Sequence, residues 1–307
     1  MPQVPSPSKT GSYQVTYRQV PGSWQRRARP DMHPDCFRVP EPGPGEVIYV
    51  TKGEFIAWGG TAFIEQLPSG NVVKTPTPNP YSRLEEEDHR KNMRVEAQIY
   101  TKLHKRFGDH PCIPRLIEWQ PETCCLTMEF MENGALRDYL RRNADSVTLI
   151  RRLQWGQQAA EALHLLHSVD VIHCDISPRN FLLDHNLDLK ISDFGGASLC
   201  GSEPSAIPEP RFLRPNFDST PVIEDDLFGL GSLLYFIMTG HYPFEEKSED
   251  DVERLYKAHQ FPDTTQVFCG PIIQGCWEQQ VQTAQAVSDY LKETHSVHIS
   301  SGLTNPL

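Results

Sequence analysis

The sequence of 307 residues predicts an α+β fold with two lobes, a small β-rich lobe with one long helix and a larger helical lobe. Short β-prone runs concentrate in residues 46–131, whereas helical patterns dominate residues 132–295. The length agrees with this division, because a single hydrophobic core stops growing near this size and two lobes around a cleft need no further residues.

The small lobe is predicted to contain a hairpin, a helix and a buried strand. Two β-prone runs, residues 61–67 and 72–75, flank a Pro-Ser-Gly-Asn turn and therefore predict the hairpin. A helix is predicted from Ser82 to about residue 107, because Ser82 with Glu85 three residues later is the start of a capping box. The run Leu-Thr-Met-Glu-Phe-Met at residues 126–131 predicts a short buried strand.

Helices are predicted to fill the larger lobe, at residues 135–142, 148–168, 224–239 and 276–295. The third of them is expected to end at Gly240, since glycine favours the position just after a helix. It contains the longest apolar stretch of the chain, which is too short to span a bilayer and predicts a buried helix.

Both ends of the chain are predicted to lie outside the folded domain. Residues 1–45 are rich in proline and poor in apolar clusters, so they predict an extended or disordered tail. Residues 296–307 predict a second tail on the same grounds. The domain is therefore expected to cover residues 46–295, with the lobes divided after residue 131.

Composition and charge narrow the class of protein. A net charge of −11 leaves no cationic field for nucleic acid or anionic lipid, so neither is an expected partner. The eight cysteines form no paired Cys-x-x-Cys pattern, and the first residues have no apolar core of a secretion signal. These features predict a cytoplasmic protein without a zinc site or disulfides, and the absence of heptads predicts a monomer.

The stretch with the most chemical information is residues 171–195. It contains His173-Cys174-Asp175 with Asn180 five residues after the aspartate, and then Asp193-Phe194-Gly195. The two aspartates bracket two apolar runs that predict a β-hairpin, which would bring both carboxylates to one edge of a cleft. These motifs resemble the catalytic loop and the metal-binding triplet of the protein kinase family.

The resemblance implies an enzyme that binds ATP and Mg²⁺ and transfers the γ-phosphoryl group to a hydroxyl of a protein substrate. Ser or Thr is favoured over Tyr, but the acceptor class stays open from the sequence. It assigns Asp175 to the acceptor hydroxyl, and Asn180 and Asp193 to the metal, because oxygen ligands suit Mg²⁺. It also implies that Asp226 anchors the catalytic-loop backbone. From the residues alone, Asp226 is equally well explained as a helix N-cap.

Lys74 and Glu96 are predicted to form an ion pair. Lys74 ends a run similar to the Val-Ala-Ile-Lys strand of the same family. Glu96 shares the apolar face of its helix with Ile99, Tyr100 and Leu103, three, four and seven residues later. An unpaired carboxylate there would be costly, so a lysine across the interface is expected. The alternative is a glutamate at the edge of the stripe that reaches water.

The nucleotide pocket is assigned by the resemblance. Backbone amides of residues 59–62, including Gly59, Gly60 and Thr61, are expected to hold phosphate, although the family's third glycine is missing. We expect weakened nucleotide affinity, because side chains at the tip restrict the approach of a phosphate. The expected adenine pocket comprises Val72, Met128, Glu129, Met131 and Leu182.

Several positions depart from the family pattern. Cys174 replaces the arginine of His-Arg-Asp, so switching by phosphorylation of the following segment is not expected. Ser177 replaces a phosphate-binding lysine, and Arg179 is expected to supply that cation as a catalytic residue. Residues 214–216 stand at the Ala-Pro-Glu position without its glutamate, and Glu209 stands where the substrate-facing loop has threonine or proline.

Three functions stay open from the sequence. The first is an active but atypical protein kinase, and the second is a pseudokinase that acts as a nucleotide-binding or scaffold domain. The third is a small-molecule kinase similar to aminoglycoside phosphotransferases, which share a His-x-Asp loop followed by asparagine. The Asp193-Phe194-Gly195 triplet argues against the third.

Overall fold

The computed structural model describes residues 15–218 and 220–300. In chain order its strands are β1 (Thr16–Val20), β2 (Glu46–Val50), β3 (Glu54–Trp58), β4 (Ala62–Gln66), β5 (Val72–Pro76), β6 (Leu116–Gln120), β7 (Cys125–Met128), β8 (Gly134–Ala135), β9 (Val171–Ile172), β10 (Phe181–Leu183), β11 (Leu189–Ile191) and β12 (Ser198–Leu199). Its α-helices are α1 (Ser23–Ala28), α2 (Arg83–Phe107), α3 (Leu136–Asn143), α4 (Leu149–His167), α5 (Ile223–Thr239), α6 (Glu249–Lys257), α7 (Gly270–Trp277) and α8 (Ala284–Ser300). The two-lobed α+β fold predicted from the sequence is confirmed.

The small lobe is built on a five-stranded antiparallel sheet with the order β3-β4-β5-β7-β6. The predicted hairpin is present as β4 and β5, and Gln66 lies opposite Val72 beside the turn. Since side chains alternate along a strand, Val72 and Lys74 project from the same face of β5. Lys74 lies opposite Ile64 of β4 and Leu126 of β7, at the centre of the sheet.

Helix α2 begins where the sequence predicts it. The Ser82 hydroxyl accepts a hydrogen bond from the Glu85 N–H at 3.2 Å and so caps the first turn. The Ser82 N–H donates to the Asn79 Oδ1 atom and not to Glu85, so the capping box is not closed. The apolar stripe of α2 is buried against the sheet, and Glu96 is buried with it at 1% exposure.

The larger lobe packs α4 against α5 and α8. Helix α4 is capped by Thr148, whose hydroxyl accepts from the Arg151 N–H, and α5 ends at Gly240 with φ of 82°. The prediction of a buried helix at α5 is confirmed, because most of its residues are shielded from solvent. In residues 15–218 and 220–300, no helix is long and apolar enough to cross a membrane.

The prediction of one helix over residues 276–295 is wrong. Helix α7 ends at Trp277, and α8 begins only at Ala284 after Thr283, whose hydroxyl accepts from the Ala286 N–H. Trp277 is fully buried, donates to the Ser232 hydroxyl and stacks on a neighbouring ring. The chain must turn after this residue for α8 to reach α4, and the left-handed residue Gln279 (φ 59°) makes the turn.

The described part of the predicted N-terminal tail, residues 15–45, also differs from expectation. Strand β1 pairs in parallel with β2, and Tyr17 donates to the Pro78 carbonyl at 2.8 Å. Its ring packs edge-on against Trp58 and Phe63, at centroid distances of 4.5 and 5.4 Å. A few scattered apolar residues thus find partners on the sheet, which a search for local apolar clusters cannot detect.

The boundaries at residues 46 and 295 therefore need correction. The folded unit includes β1 and α1, which precede residue 46. At the other end α8 continues to Ser300, so the first five residues of the expected C-terminal tail, 296–300, are helical. Residues 1–14 and 301–307, to which the remainder of the two tail predictions applies, lie outside the described residues.

Candidate active site

Lys74, Glu96 and Asp193 meet in the cleft between the lobes. The Lys74 Nζ atom lies 2.7 Å from Glu96 Oε2 and 2.6 Å from Asp193 Oδ1. Lys74 and Glu96 are buried, whereas the Asp193 side chain is 53% exposed and therefore faces the open cleft. The ion pair that the sequence predicts between Lys74 and Glu96 is present, and the edge-of-stripe alternative for Glu96 is excluded.

The charges of these three groups depend on one another. The positive charge of Lys74 holds the pKa of Asp193 below its usual range. Burial alone would lower the pKa of Lys74, but the two carboxylates outweigh it and raise that pKa. Burial raises the pKa of Glu96, and the attraction of Lys74 opposes the rise. Lys74 is therefore a fixed cation at the base of the cleft at neutral pH.

Asp175 and Asn180 are held together on the loop between β9 and β10. The Asn180 Nδ2 group donates to the Asp175 Oδ2 atom at 2.9 Å and to the Asp175 carbonyl at 2.8 Å. The Asp175 N–H donates to His173 Nδ1 at 3.2 Å. Because both bonds of the Asn180 amide nitrogen go to Asp175, the Oδ1 atom of Asn180 is left to accept from, or bind to, another group.

Asp226 of helix α5 holds the backbone of this loop in place. It accepts hydrogen bonds from the N–H groups of His173 (2.8 Å) and Cys174 (3.0 Å), and its Oδ2 atom lies 2.9 Å from His167 Nε2. The N-cap position of α5 belongs to Val222, whose N–H donates to Asp225. The anchoring role implied by the family is therefore the correct reading of Asp226, and the N-cap alternative is wrong.

A chain of ring contacts, one edge-on and one tilted, connects the catalytic loop to α2. His173 lies 5.7 Å from Phe194, and Phe194 lies 4.9 Å from Tyr100 of α2, measured between ring centroids. The preceding residue, Asp193, has the left-handed φ of 68°, which turns its carboxylate towards Lys74 while Phe194 packs inwards. The sequence places Tyr100 on the apolar face of α2 but gives no sign that it contacts Phe194.

The turn between β3 and β4 is tighter than the sequence suggests. The Gly59 N–H donates to the Ala62 carbonyl at 2.9 Å, so it closes the turn and is not free for a phosphate. Phe63 is buried against Trp58, on the face of the sheet opposite to Lys74. The predicted cradle of four amides must therefore be corrected at Gly59, whereas Gly60 and Thr61 lie at the tip of the turn.

The residues expected to bind adenine gather around the connection between the lobes. Val72 of β5 lies opposite Met128 of β7, and Leu182 lies on β10 of the larger lobe. The Glu129 N–H donates to the Arg115 carbonyl, so the N–H is engaged within the protein. The Glu129 carbonyl is then the backbone group that can bind a ligand. The Met131 carbonyl accepts from Gly134, which leaves the Met131 N–H.

Lys190 is a residue near this pocket that sequence reasoning missed. Its Nζ atom donates to Glu129 Oε1 at 2.7 Å and thereby ties the connection between the lobes to β11. Both groups are largely shielded from solvent. A lysine inside a short apolar strand was the available signal, because such a residue needs a carboxylate partner when it is buried.

Arg179 lies beside Asp175 but bonds elsewhere. Its Nη2 atom is 4.0 Å from Asp175 Oδ1, whereas its Nη1 atom is 3.1 Å from Glu209 Oε1. Both members of the Arg179–Glu209 pair are about two-fifths exposed. The expected cation is therefore close to the catalytic loop, with Glu209 as its partner.

The segment that follows Asp193 is held to the larger lobe by strand pairing and by an ion pair. Cys174 is buried, and burial raises the pKa of its thiol to about 12, so it cannot act as a charged partner. Strand β12 pairs with β9, and the Arg214 Nε atom lies 2.6 Å from Asp225 Oδ1. The Arg214–Asp225 pair fastens the end of the segment, where the family's glutamate is absent.

A bilobal α+β fold, with a cleft lysine between two carboxylates and an Asp–Asn loop supported by a buried aspartate, defines a protein kinase domain. The family model described as protein kinase domain matches residues 79–300, and the chain belongs to this family. Lys74 and the turn at residues 59–61 precede the matched range. Their assignment therefore depends on the local sequence pattern and on the geometry, not on the family match.

Curated relatives agree with this membership. CBL-interacting protein kinase 10 of Oryza sativa subsp. japonica is 31% identical over 163 residues, which are 48% of this chain and 34% of that protein. Tyrosine-protein kinase hopscotch of Drosophila melanogaster is 28% identical over 204 residues, 59% of this chain and 17% of that protein. Serine/threonine-protein kinase ULK1 of Homo sapiens is 31% identical over 199 residues, 56% and 18% of the two chains. The matches span about a third or less of these relatives, which include both acceptor classes.

Proposed function

We propose that this chain is an active protein kinase that transfers the γ-phosphoryl group of ATP to a protein hydroxyl, serine or threonine rather than tyrosine. The observation that carries the proposal is the position of the Lys74 ammonium between Glu96 and Asp193. Phosphoryl transfer requires positioned charge more than covalent chemistry, and this arrangement supplies a fixed cation beside an exposed carboxylate.

The residues of the cleft fit a magnesium ion. Asp193 uses one oxygen for Lys74 and is exposed, and the Asn180 amide orientation leaves its Oδ1 atom available. Within residues 15–218 and 220–300 no group of three or more His, Cys, Asp or Glu side chains can hold a metal, so these two residues would share the ion with phosphate oxygens and water. When bound, Mg²⁺ neutralises the charge of the β- and γ-phosphates.

The remaining roles follow from position and charge. Lys74 would hold the α- and β-phosphates, and Glu96 keeps its amine pointed into the cleft. Asn180 holds the Oδ2 atom of Asp175. The Oδ1 atom of Asp175 would accept the hydrogen bond of the acceptor hydroxyl and orient that hydroxyl. The carbonyl of Glu129 and the N–H of Met131 would bind the adenine edge, between the apolar side chains of Val72 and Leu182.

A pseudokinase is the second candidate, and the turn between β3 and β4 favours it. Because the Gly59 N–H closes that turn, fewer amides are left to hold the phosphates in a protein of this class. Such a domain would bind nucleotide or a partner protein without rapid transfer.

Two measurements separate the candidates. We expect Mg²⁺-dependent transfer from labelled ATP to a protein panel. We also expect Mg²⁺-ATP at 100 times its dissociation constant to add about 2.7 kcal/mol to the free energy of unfolding. Asp193→Asn should lose most of that gain, because it removes the carboxylate that is proposed to bind Mg²⁺. The fold should be preserved, since Lys74 keeps Glu96 as a partner. Asp170→Asn, an exposed aspartate of the larger lobe, is the matched control and should keep the full gain.

Each outcome has a distinct meaning. Stabilisation with transfer to protein supports the active kinase, and stabilisation without transfer identifies the pseudokinase. Transfer only to an aminoglycoside alcohol would instead support the small-molecule kinase. If Mg²⁺-ATP causes neither stabilisation nor transfer, the nucleotide-dependent proposal is overturned.

Activity is expected not to require phosphorylation of the segment after Asp193. Ser198 is fully buried and donates to the Ser202 carbonyl, and Ser205 donates to Asn92 of α2. Replacing Ser198, Ser202 and Ser205 together by alanine should leave kcat/KM within about tenfold of the wild type, because each lost bond is worth only about 0.5–1.5 kcal/mol. A loss beyond about a hundredfold with an unchanged circular dichroism spectrum would contradict this expectation.

A further inference from the structure

Three arginines lie on the catalytic loop or on helix α3, which packs against that loop, although the chain as a whole has a net charge of −11. Arg179 is within 4.0 Å of the Asp175 carboxylate. The Arg137 N–H donates to the Pro178 carbonyl at 3.0 Å, which sets the first turn of α3 against the catalytic loop. Arg141 follows Arg137 by four residues and therefore lies on the same face of α3.

Tyr242 marks the centre of this surface. The guanidinium carbon of Arg141 is 5.7 Å from the centroid of its ring. Burial raises the pKa of the Tyr242 hydroxyl, and the positive charge of Arg141 opposes that rise. Glu209 raises the same pKa, while Arg137 and Arg179 lower it. All three arginines and Glu209 therefore lie within electrostatic reach of one hydroxyl.

The carboxylates of the surface are already engaged by arginines. Asp138 binds Arg137, with the Nε and Oδ1 atoms 2.9 Å apart, and Glu209 binds Arg179 at 3.1 Å. Arg141 has no carboxylate within 4.0 Å among residues 15–218 and 220–300. One positive charge on this surface is therefore not matched by a carboxylate in direct contact.

Glu209 is held firmly while its ion pair stays accessible. It lies between Pro208 and Pro210, and its carbonyl accepts from the N–H of the fully buried Phe212 at 2.8 Å. Since Glu209 and Arg179 are both about two-fifths exposed, their attraction is weakened by water. An incoming carboxylate or phosphate can therefore replace Glu209 as the partner of Arg179.

We propose that this arginine surface (Arg137, Arg141 and Arg179) selects acceptor proteins with acidic residues beside the acceptor hydroxyl. Glu209 is the internal competitor that such an acidic residue displaces from Arg179. The proposal rests on the kinase activity proposed above, because Asp175 defines where the acceptor hydroxyl lies. It makes Glu209 and Arg141 specificity residues and not part of the transfer chemistry.

The test compares two peptides of equal length with one serine, flanked by glutamates in one peptide and by lysines in the other. For the wild type we expect kcat/KM to be about tenfold higher for the acidic peptide. The ratio should be smaller in about 0.5 M salt, because salt screens the attraction between exposed charges. Arg141→Gln should lower the ratio about threefold, because it removes the cation without a carboxylate partner. Glu209→Gln should raise the ratio about threefold, because it removes the competitor.

Controls lie on helix α2, in the small lobe, whereas the arginine surface belongs to the larger lobe. Arg94→Gln and Glu87→Gln each remove one exposed charge of the corresponding sign, and the ratio should not change in either variant. The opposite signs expected for Arg141→Gln and Glu209→Gln separate the proposal from a general effect of net charge.

Failure of the proposal differs from failure of the kinase activity. If both peptides are phosphorylated equally, or if Glu209→Gln selectively weakens the lysine peptide, the surface does not select acidic acceptors. If neither peptide nor any protein is phosphorylated, the proposed activity fails. Dissociation constants of both peptides in the presence of Mg²⁺-ADP then still decide the binding preference, since they require no transfer.

Discussion

Replacing Asp175 by asparagine is expected to lower kcat for phosphoryl transfer by about 10²–10⁴-fold. Asparagine has the same shape, and its side-chain oxygen can still accept the hydrogen bond that Asn180 donates at 2.9 Å. A neutral amide cannot take the proton of the acceptor hydroxyl, nor offer it a charged acceptor. The fold should be unaffected, because the side chain is partly exposed and keeps its neighbours.

The measurement is the initial rate of labelled phosphate transfer at saturating Mg²⁺-ATP. Asp145→Asn, an exposed aspartate between α3 and α4, should transfer at the wild-type rate. Mg²⁺-ATP should stabilise the Asp175→Asn variant as well as the wild type, since the proposed metal ligands are Asn180 and Asp193. A variant that keeps more than about a tenth of the wild-type rate would show that Asp175 is not the group that orients the acceptor.

Local signals explain why so much of the fold was predictable. The cap at Ser82 and the stop at Gly240 depend on residues within one helical turn, and the structure confirms both. The hairpin of β4 and β5 is equally local, since the turn residues lie between its strands. The break between α7 and α8 was missed because it depends on where Trp277 packs.

The N-terminal segment shows the limit of arguments from composition. Residues 15–45 contain few apolar residues, and the entropy argument correctly states that such a chain cannot form its own core. Tyr17 instead packs on Trp58 and Phe63 of the small lobe, and β1 pairs with β2. A single sequence does not show that a neighbouring surface has room for these side chains.

The candidate site also contains some contacts that could be predicted from the sequence and some that could not. The Lys74–Glu96 pair was predictable, because a carboxylate on a buried helix face requires a cation. The Arg179–Glu209 and Arg214–Asp225 pairs were not, because they depend on the path of an irregular segment. The sequence shows that Ser177, Glu209 and residues 214–216 depart from the family's usual residues. It does not show which partners the neighbouring arginines then take.

Removal of the Asp226 carboxylate is expected to cost about 3–5 kcal/mol of the free energy of unfolding. The side chain is 1% exposed and serves three nitrogen groups, those of His173, Cys174 and His167. In Asp226→Ala these groups lose their partner in the interior, where water cannot easily replace it. Denaturant unfolding followed by tryptophan fluorescence measures the loss, and Asp250→Ala, an exposed aspartate of α6, should stay close to the wild type.

Asp226→Asn separates the effect on the loop from the effect on stability. The amide keeps one oxygen acceptor but turns an N–H donor towards a group that itself donates, so the backbone of His173 and Cys174 must shift. Because these residues precede Asp175 directly, kcat should fall while the KM for ATP changes little, since Lys74 and Asp193 are positioned by other elements. If kcat falls and the KM for ATP rises by a similar factor, Asp226 instead stabilises the whole cleft and does not act through the catalytic loop.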